Sequence, residues 1–397
     1  MKSKKIISLI STLAILFAFS ISASVSGEHQ ISPEYNRDLA KQIMSDFSPE
    51  SYGGLYYDES GTLVVNVLPN SEKNESILES VEAQTPIKAT ARLYRSTDGK
   101  QRVEIKTVTY SYQSLLEAFN VLSDNMQELG IRSVAIEEKL NTVVVTPFDN
   151  DPTLQTKMDS LVDSNVVTIQ YPAVSNAKAP ELKTVLTKDV DVKPGTEAAN
   201  SSGTFSIGFA CGYNGVVGYT VPGHAVSNGQ TITYNGETLG VVRYRAFGNG
   251  LDVAFVEKQD KPGGFMGWGK IVYKGSNVTP EGENIGSTVG KYVSGDKVHF
   301  RGKRSGRTTG YILNASYSES YGGVSMTDVV KANYVAIKGD RGGCVYYYDE
   351  YTGYPRNPSK VLGMQSASNL SGDNWVSGSY SIFSKYSKMT NIDLLSW

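Results

Sequence analysis

The stretch Gly339-Asp340-Arg341-Gly342-Gly343-Cys344 decides how the rest of this 397-residue chain is interpreted. Glycines on both sides of the central residues allow a tight backbone turn that directs consecutive N–H groups toward one point. A loop built for nucleophilic attack would carry a small hydroxyl at its centre, whereas this loop carries the guanidinium of Arg341 there. Because most glycine-rich turns are only turns, the meaning of the stretch depends on what the rest of the chain supplies.

The composition is that of an ordinary globular protein, and the length allows two or three domains. The formal net charge is −2, so the basic surface of a nucleic-acid-binding protein is not indicated and no nucleic-acid partner is expected. Tyrosine and glycine are abundant, at 25 and 39 residues, which favours β-rich structure with many turns. The histidines share no metal-ligand spacing with one another or with the two cysteines, so no metal or other cofactor is expected. They are His29, His224 and His299.

Residues 1–26 have the pattern of a secretory signal peptide. Lys2, Lys4 and Lys5 precede an apolar run over residues 6–21, and small residues follow that run. A membrane anchor is the alternative, but the run is short for a membrane span and is not followed by basic residues. We therefore expect a secreted protein that has no membrane contact once the signal is removed.

Residues 27–170 are predicted to form an α/β region, followed by an exposed linker at 171–203 that is rich in Pro, Lys, Asp, Ala and Ser. Helical spacing is present at Pro33 to Phe47, Ser114 to Leu129 and Pro152 to Val162. Strand patterns are present at Thr62 to Leu68, Ile131 to Ile136, Thr142 to Val145 and Val166 to Ile169. From residue 204 onward, short strands and many glycines predict an all-β sandwich or a pair of barrels.

Two titratable residues precede the glycine-rich loop, each at the edge of a predicted strand. His224 follows the apolar residues up to Val221, and Asp252 stands just before the apolar run Val253 to Val256. Each residue alone is usually structural, since a histidine at a turn or an aspartate before a strand has ordinary roles. Their order along the chain, with position 341 after them, is the chymotrypsin order of histidine, aspartate and nucleophile.

Short motifs in the second half, in the same order, resemble those of the bacterial chymotrypsin-like serine proteases of the streptogrisin and α-lytic protease family. They are Ser206 to Phe209, Thr220 to Ala225, Leu251 to Ala254, Arg304 to Gly310 and Gly363 to Ser366. The loop at 339–343 resembles the family's Gly-Asp-Ser-Gly-Gly, with arginine in place of the serine. The resemblance runs from residue 204 to the C-terminus, and a looser one covers 61–67 and 141–145.

This resemblance implies a chymotrypsin-like double β-barrel over residues 204–397, preceded by an α/β pro-region at 27–170 that helps folding. It implies catalytic roles for His224 and Asp252, with Arg341 at the position of the nucleophile. It implies an oxyanion pocket formed by the backbone N–H groups of Gly339 and Arg341. It also places three residues along the substrate groove, namely Ser366, Ala367 and Ser368.

The family's paired cysteines are missing from this sequence. The two cysteines present, Cys211 and Cys344, lie in segments that run close together in the family's fold. We expect either one disulfide between them or two buried thiols, and the sequence leaves both alternatives open.

Arginine at position 341 is the decisive departure from the family. A guanidinium stays protonated near neutral pH and has no nucleophilic lone pair, so it cannot form an acyl-enzyme and the site is predicted to be inactive. One interpretation is that Arg341 clamps a carboxylate or a phosphate in the oxyanion pocket. The favoured interpretation is that Arg341 fills the site and pairs with Asp252 or another acid.

Three functions fit these features. The first is a secreted pseudoprotease that binds a peptide or protein along the groove without cleavage, by adding a strand to a sheet edge. The second is an active serine-type endopeptidase made as a pro-enzyme, but Ser305 and Ser366 are poor substitutes for the missing hydroxyl. The third is a tyrosine-rich surface or adhesive protein. We favour the first and expect that the chain does not cut its own linker; the sequence identifies neither the ligand nor the oligomeric state.

Overall fold

The computed structural model describes residues 33–69, 103–171, 194–258, 270–271, 283–288, 292–321, 323–347, 359–370, 375 and 378–394. The predicted signal peptide at 1–26, His29 and most of the predicted linker, 172–193, lie outside these residues. The described residues all belong to one unit. No helix within them is both long enough and apolar enough to cross a membrane.

The described part of the first half contains both helices and strands, as the sequence predicts. The helices are α1 (Pro33–Asp46), α2 (Tyr112–Asp124), α3 (Met126–Leu129) and α4 (Leu154–Asp159), with a 3-10 turn at Ser164–Val166. The strands are β1 (Tyr52–Tyr57), β2 (Leu63–Val67), β3 (Val103–Thr107), β4 (Ile131–Glu137), β5 (Thr142–Pro147) and β6 (Val167–Ile169). The α/β character of this region is confirmed.

The helix predicted over Ser114 to Leu129 is two helices in the structure, broken at Asn125. Phe119 and Leu122 are buried in one apolar cluster with side chains of β4 and β5, so the predicted apolar face is present. At the break, Asn125 has non-helical backbone angles, with φ −102° and ψ 12°, and its backbone N–H and side-chain amide both donate to the carbonyl of Val121, at 3.2 and 2.8 Å. A side chain that bonds the backbone of its own helix competes with the helical hydrogen-bond ladder.

The described second half of the chain consists of strands joined by loops and short 3-10 turns. The strands are β7 (Glu197–Asn200), β8 (Gly203–Ser206), β9 (Ala210–Tyr213), β10 (Val216–Val221), β11 (Thr231–Tyr234), β12 (Glu237–Gly248), β13 (Leu251–Lys258), β14 (Lys270–Ile271), β15 (Glu283–Thr288), β16 (Lys297–Gly302), β17 (Gly306–Tyr321), β18 (Val324–Ala332), β19 (Cys344–Tyr347), β20 (Ser359–Asn369), β21 (Tyr380–Lys385) and β22 (Ile392–Leu394). The 3-10 turns are Gly223–Ala225 and Tyr386–Lys388. The prediction of an all-β domain after an α/β region is confirmed.

An antiparallel sheet brings His224 and Asp252 to one place. Its strand order is β22-β9-β10-β13-β12-β11-β7-β8. β10 pairs with β13 so that Val221, at the end of β10, lies opposite Ala254, near the start of β13. The turn that follows β10 carries His224 and the first residues of β13 carry Asp252, so the ladder between these strands sets the distance between the two side chains.

The larger sheet continues from the second half of the chain into the first. Its order is β14-β15-β20-β19-β16-β17-β4-β5-β6, and β18 and β21 pair with β17 and β20 off this path. β17 pairs with β4 with Tyr317 opposite Ala135, and the hydroxyl of Ser123 donates to that of Ser318 at 2.9 Å. The predicted pro-region and the predicted barrel domain therefore share one sheet, while the boundary between them in the sequence stays a prediction.

Candidate active site

His224 and Asp252 form a directly hydrogen-bonded pair. The Oδ2 of Asp252 lies 2.8 Å from the Nδ1 of His224, and its Oδ1 accepts from the backbone N–H of His224 at 2.8 Å. The carboxylate is buried, and both of its oxygens are used by the same residue. Because the carboxylate holds Nδ1, Nε2 is the ring nitrogen that is left to accept a proton.

The hydroxyl of Ser384 holds the backbone of Asp252, and the hydroxyl of Ser366 lies against that of Ser384. The N–H of Asp252 donates to the Oγ of Ser384 at 2.9 Å, and the Oγ of Ser384 lies 3.0 Å from that of Ser366. The sequence places Ser366 along the substrate groove, whereas the structure buries its hydroxyl against Ser384. Ser366 therefore acts in the support of Asp252, and its side chain is not available to a ligand.

Ala367 and Ser368, the other two predicted groove residues, lie in different surroundings. Ala367 is buried in an apolar cluster with Tyr317 and Met326. Ser368 lines a cavity of about 300 Å³ together with Arg341. Of the three predicted groove residues, Ser368 is the one that lines this cavity. Strict alternation would put Ser366 on the same face, but a register shift between Gln365 and Ala367 interrupts it.

The glycine-rich loop is held in place by the buried carboxylate of Asp340. This carboxylate accepts from the backbone N–H groups of Ile337 at 2.9 Å, Arg304 at 2.6 Å and Ser305 at 3.1 Å, and also from the hydroxyl of Ser305. A carboxylate that satisfies several neighbouring backbone donors fixes the conformation of the loop around it. The residue that follows, at position 341, is therefore presented by a rigid turn.

Gly342 packs directly against the residues that lead to His224. Its φ is +87°, and a Cβ built on it would lie 2.4 Å from the Cδ of Pro222. Its N–H donates to the carbonyl of Gln365 at 2.8 Å. Only glycine fits this conformation and this space, so the loop and the turn that carries His224 are held at a fixed separation.

The guanidinium of Arg341 contacts the imidazole of His224. Its Nη1 lies 3.4 Å from the Nε2 of His224, and its Nη2 donates to the hydroxyl of Tyr321. Its Cζ is 5.5 Å from the centre of the Tyr321 ring, within the range of a cation–π interaction. Arg341 thus fills the space beside the imidazole of His224.

Within the described residues Arg341 is not paired with an acid, contrary to the prediction. Asp252 uses both carboxylate oxygens on His224, so it has none to offer the guanidinium. No other carboxylate in the described part of the chain lies at ion-pair distance from Arg341. The guanidinium is held by an imidazole nitrogen and a phenol hydroxyl, and its positive charge is not neutralised by these partners.

The backbone donors of the predicted oxyanion pocket are still available. Among the described residues, no acceptor is hydrogen-bonded to the N–H groups of Gly339 and Arg341. Gly339 has a φ of +99°, and the carbonyl of Arg341 is turned away to accept from the N–H of Ser206 at 2.8 Å. Backbone N–H groups without a partner at such a turn are suited to bind a carbonyl oxygen or an anion.

Cys211 and Cys344 are free thiols, so the disulfide alternative is corrected in favour of two buried thiols. Both lie fully buried in one apolar cluster, on β9 and β19 of the two different sheets. Burial raises the pKa of each thiol well above its usual range. The two cysteines therefore act as small apolar core residues.

Sequence reasoning missed Tyr321 and Ser384. Tyr321 ends β17 within a run of tyrosines and serines, and no motif connects it to position 341. Ser384 lies on β21, 132 residues from the Asp252 backbone that it supports. Both contacts depend on strand pairing between distant segments, which leaves no local signal in the sequence.

No family model matches this chain. A search of curated proteins also found no match. Solved structures with a similar fold include Thermobifida fusca Protease A, which is 18% identical, covers 52% of this chain and 100% of its own, and has a TM-score of 0.42. Cellulomonas bogoriensis chymotrypsin is 21% identical with the same coverages and a TM-score of 0.40. The Nocardiopsis protease NAPase is 20% identical, again over 52% and 100%, with a TM-score of 0.42. At these identities and TM-scores, the likeness carries no argument about activity.

Proposed function

We propose that this chain is a secreted homologue of the trypsin- and chymotrypsin-like serine endopeptidases that binds a peptide or protein without cleaving it. The observation that carries the proposal is the contact of the Arg341 guanidinium with the Nε2 of His224, at 3.4 Å. The proposal includes residues 1–26 as the signal peptide and residues 27–170 as the pro-region.

The chemistry of position 341 supports the absence of cleavage. Acyl transfer needs a hydroxyl whose proton passes to the histidine, and a protonated guanidinium supplies no nucleophilic lone pair. Arg341 also covers Nε2, the atom that would take the proton. Loss of the nucleophile from a catalytic triad lowers kcat by about 10⁶-fold in a subtilisin example.

The described hydroxyls near the site are committed elsewhere. The hydroxyl of Ser305 donates to Asp340, that of Ser366 lies against Ser384, and that of Tyr321 accepts from Arg341. None of the described hydroxyls is hydrogen-bonded to His224. A substitute nucleophile is therefore not part of the proposal.

The binding function is supported by what the site retains. The His224–Asp252 pair, the rigid loop and the N–H donors of Gly339 and Arg341 are all present. Cavities of about 300 and 770 Å³ border Arg341, and each is large enough to take part of an extended peptide.

Restoration of the hydroxyl is the direct test. Casein and a mixed peptide library are incubated with the unmodified chain, Arg341→Ser, the double variant Arg341→Ser/His224→Ala, and Arg304→Ser as a control that loses an arginine beside the loop. Cleavage is read by mass spectrometry. We expect cleavage by Arg341→Ser alone, with the other three proteins at the uncatalysed background.

If Arg341→Ser cleaves nothing, a fluorophosphonate label, which reacts with activated serines, shows whether the serine at position 341 is activated. We expect labelling at position 341 in Arg341→Ser and none in the double variant. Folded Arg341→Ser that is neither active nor labelled contradicts the idea that the scaffold is intact. Turnover by the unmodified chain that disappears in His224→Ala establishes the alternative, an active serine endopeptidase.

A further inference from the structure

The larger of the two cavities at Arg341 has a lining of unusual charge. It is about 770 Å³ in volume and is bounded by β8, by the turn that carries His224 and by the segments 303–304 and 338–341. Its charged lining residues are all cationic, and no described lining residue is acidic; they are Arg245, Lys303, Arg304, Lys338 and Arg341. We call this cavity the basic cleft.

Three of these cations have no carboxylate partner among the described residues. Lys303 is neutralised, because its Nζ lies 2.6 Å from a carboxylate oxygen of Glu197. Arg245 donates from Nε to a backbone carbonyl, which carries no net charge. In the described part of the chain, Arg245, Arg304 and Arg341 have no carboxylate at ion-pair distance.

Three like charges around one cavity favour a negatively charged occupant. Their mutual repulsion is unfavourable in the empty cleft, and an anion that enters it offsets that repulsion. Guanidinium groups match carboxylates because two parallel N–H donors meet the two oxygens. The N–H groups of Gly339 and Arg341, both of which lack an acceptor among the described residues, add uncharged donors at one end.

One wall of the cleft favours a peptide as that occupant. β8 is the edge strand of its sheet, and Thr204 and Phe205 of β8 line the cleft. The N–H of Ser206 points away from β7, because it donates to the carbonyl of Arg341. Hydrogen-bonding direction alternates along an antiparallel strand, so Thr204 directs its backbone groups to the same side as Ser206. An extended peptide is able to pair with such an edge.

We propose that the basic cleft selects a peptide segment with closely spaced acidic side chains. One carboxylate binds at Arg341 and the neighbouring N–H groups, the next ones bind at Arg304 and Arg245, and the peptide backbone lies along Thr204. This inference rests on the proposed function, because it names the ligand class of the same groove.

The test compares two labelled hexapeptides that differ in charge alone. One alternates alanine and glutamate, and the other has glutamine at each glutamate position. Binding to the full chain is measured by fluorescence anisotropy at low and at high salt, with inorganic phosphate as a competitor. We expect the acidic peptide to bind at least about tenfold more tightly at low salt, and the difference to shrink as salt screens the charges.

Charge-removing variants locate the selectivity. Arg304→Gln and Arg245→Gln are each expected to weaken the acidic peptide by about tenfold and to leave the glutamine peptide unchanged. Arg243→Gln is the matched control, because its side chain is exposed and already paired with Glu257, outside the lining of the cleft. Circular dichroism of each variant shows that the fold is kept.

The outcomes separate this inference from the proposed function. Equal affinity for the two peptides, no binding of either, or an equal loss in Arg243→Gln overturns the acidic selectivity. Competition by inorganic phosphate as strong as that by the unlabelled peptide overturns the peptide as occupant and leaves a simple anion site. Mass spectrometry of the same samples reads cleavage, and cleavage of a selectively bound acidic peptide contradicts the proposed function while it supports the selectivity.

Discussion

The Nη1 of Arg341 stands 3.4 Å from the Nε2 of His224, on the opposite side of the imidazole ring from the Asp252 carboxylate that holds Nδ1. Both ring nitrogens of His224 are thus engaged within the protein itself. The imidazole bridges a carboxylate and a guanidinium, and this arrangement holds Arg341 in a defined position with no ion pair to any carboxylate of the described residues.

Tyr321 is expected to stabilise the folded chain through Arg341. Tyr321→Phe removes the hydroxyl that accepts from Nη2 and keeps the ring beneath the guanidinium. We expect it to lower the free energy of unfolding by about 1 kcal/mol, and Tyr321→Leu to cost about a further 0.5 kcal/mol. Denaturant unfolding measures both. In an Arg341→Ser background the loss caused by Tyr321→Phe is expected to vanish, and an unchanged loss there contradicts the assignment.

Gly342 is expected to tolerate no side chain. In Gly342→Ala, the new Cβ is strained by the positive φ and clashes with the ring of Pro222. In Gly306→Ala, the strain comes only from the φ of +67°, since a Cβ at Gly306 has open space. We expect Gly342→Ala to be less stable than Gly306→Ala by about 2 kcal/mol. Thermal and denaturant unfolding of the two variants give this difference. Equal losses show that the loop does not pack against the turn of His224.

Glu138 is expected to make stability depend on pH. Its carboxyl is buried and accepts from the hydroxyl of Ser294 at 2.9 Å. Burial raises the pKa of Glu138 from 4.5 to about 8. A carboxyl whose pKa is higher in the folded chain takes up a proton on folding, so its contribution is full below about pH 4.5 and is lost as the pH rises toward 8.

The variant Glu138→Gln keeps the shape of the side chain and does not titrate. Relative to the unmodified chain, we expect it to gain stability between pH 5 and pH 8 by an amount on the order of a few kcal/mol. Unfolding is followed at several pH values across this range. Glu59→Gln is the control, because Glu59 is almost fully exposed. If the free energy of unfolding changes with pH in the same way for Glu138→Gln and the unmodified chain, the prediction is contradicted.

The cysteines are expected to be unreactive in the folded chain and reactive in the unfolded one. Burial raises the pKa of both thiols and keeps reagents away from them. Iodoacetamide without reductant is therefore expected to label neither residue under native conditions and both in denaturant. Mass spectrometry counts the labels. Two unlabelled cysteines in denaturant that become reactive only after reduction restore the disulfide alternative.

The predicted linker at 171–203 is too long at its end, because residues 197–200 form β7 of the sheet and β8 begins at residue 203. The remaining segment, 171–196, is expected to survive uncut in the unmodified chain. Under the proposed function the chain does not cut itself, so exported material is expected as one band that lacks only the predicted signal peptide, residues 1–26. Gel electrophoresis and N-terminal sequencing read the result. A cut within the linker that is lost in His224→Ala contradicts the absence of catalysis, whereas a cut that persists in this variant comes from another protease.

The sequence predicts those parts of the site in which local backbone geometry restricts the residue type. Gly342 must be glycine because of its φ and the nearness of Pro222, so the loop is visible as a short motif. The contacts made by Tyr321 and Ser384 have no such local motif, because they depend on the register between strands that are far apart in the chain. Such register is set by the whole sheet, and no short stretch of sequence records it.

The predicted pairing of Arg341 with Asp252 fails for a related reason. The sequence shows a cation and an acid in the same motif set, and attraction between them is the simplest inference. It does not show that His224 takes both carboxylate oxygens, one through its ring and one through its backbone N–H. The broken helix at Asn125 is a smaller case, in which apolar spacing alone does not reveal a competing side-chain hydrogen bond.

The ladder between β17 and β4 has a consequence for any chain that is nicked by a foreign protease between positions 172 and 193. Tyr317 and Ala135 face each other across that ladder, and Ser123 is bonded to Ser318, so the two fragments stay attached without a peptide link. We expect the two fragments to separate in detergent and to sediment as a single particle in native buffer.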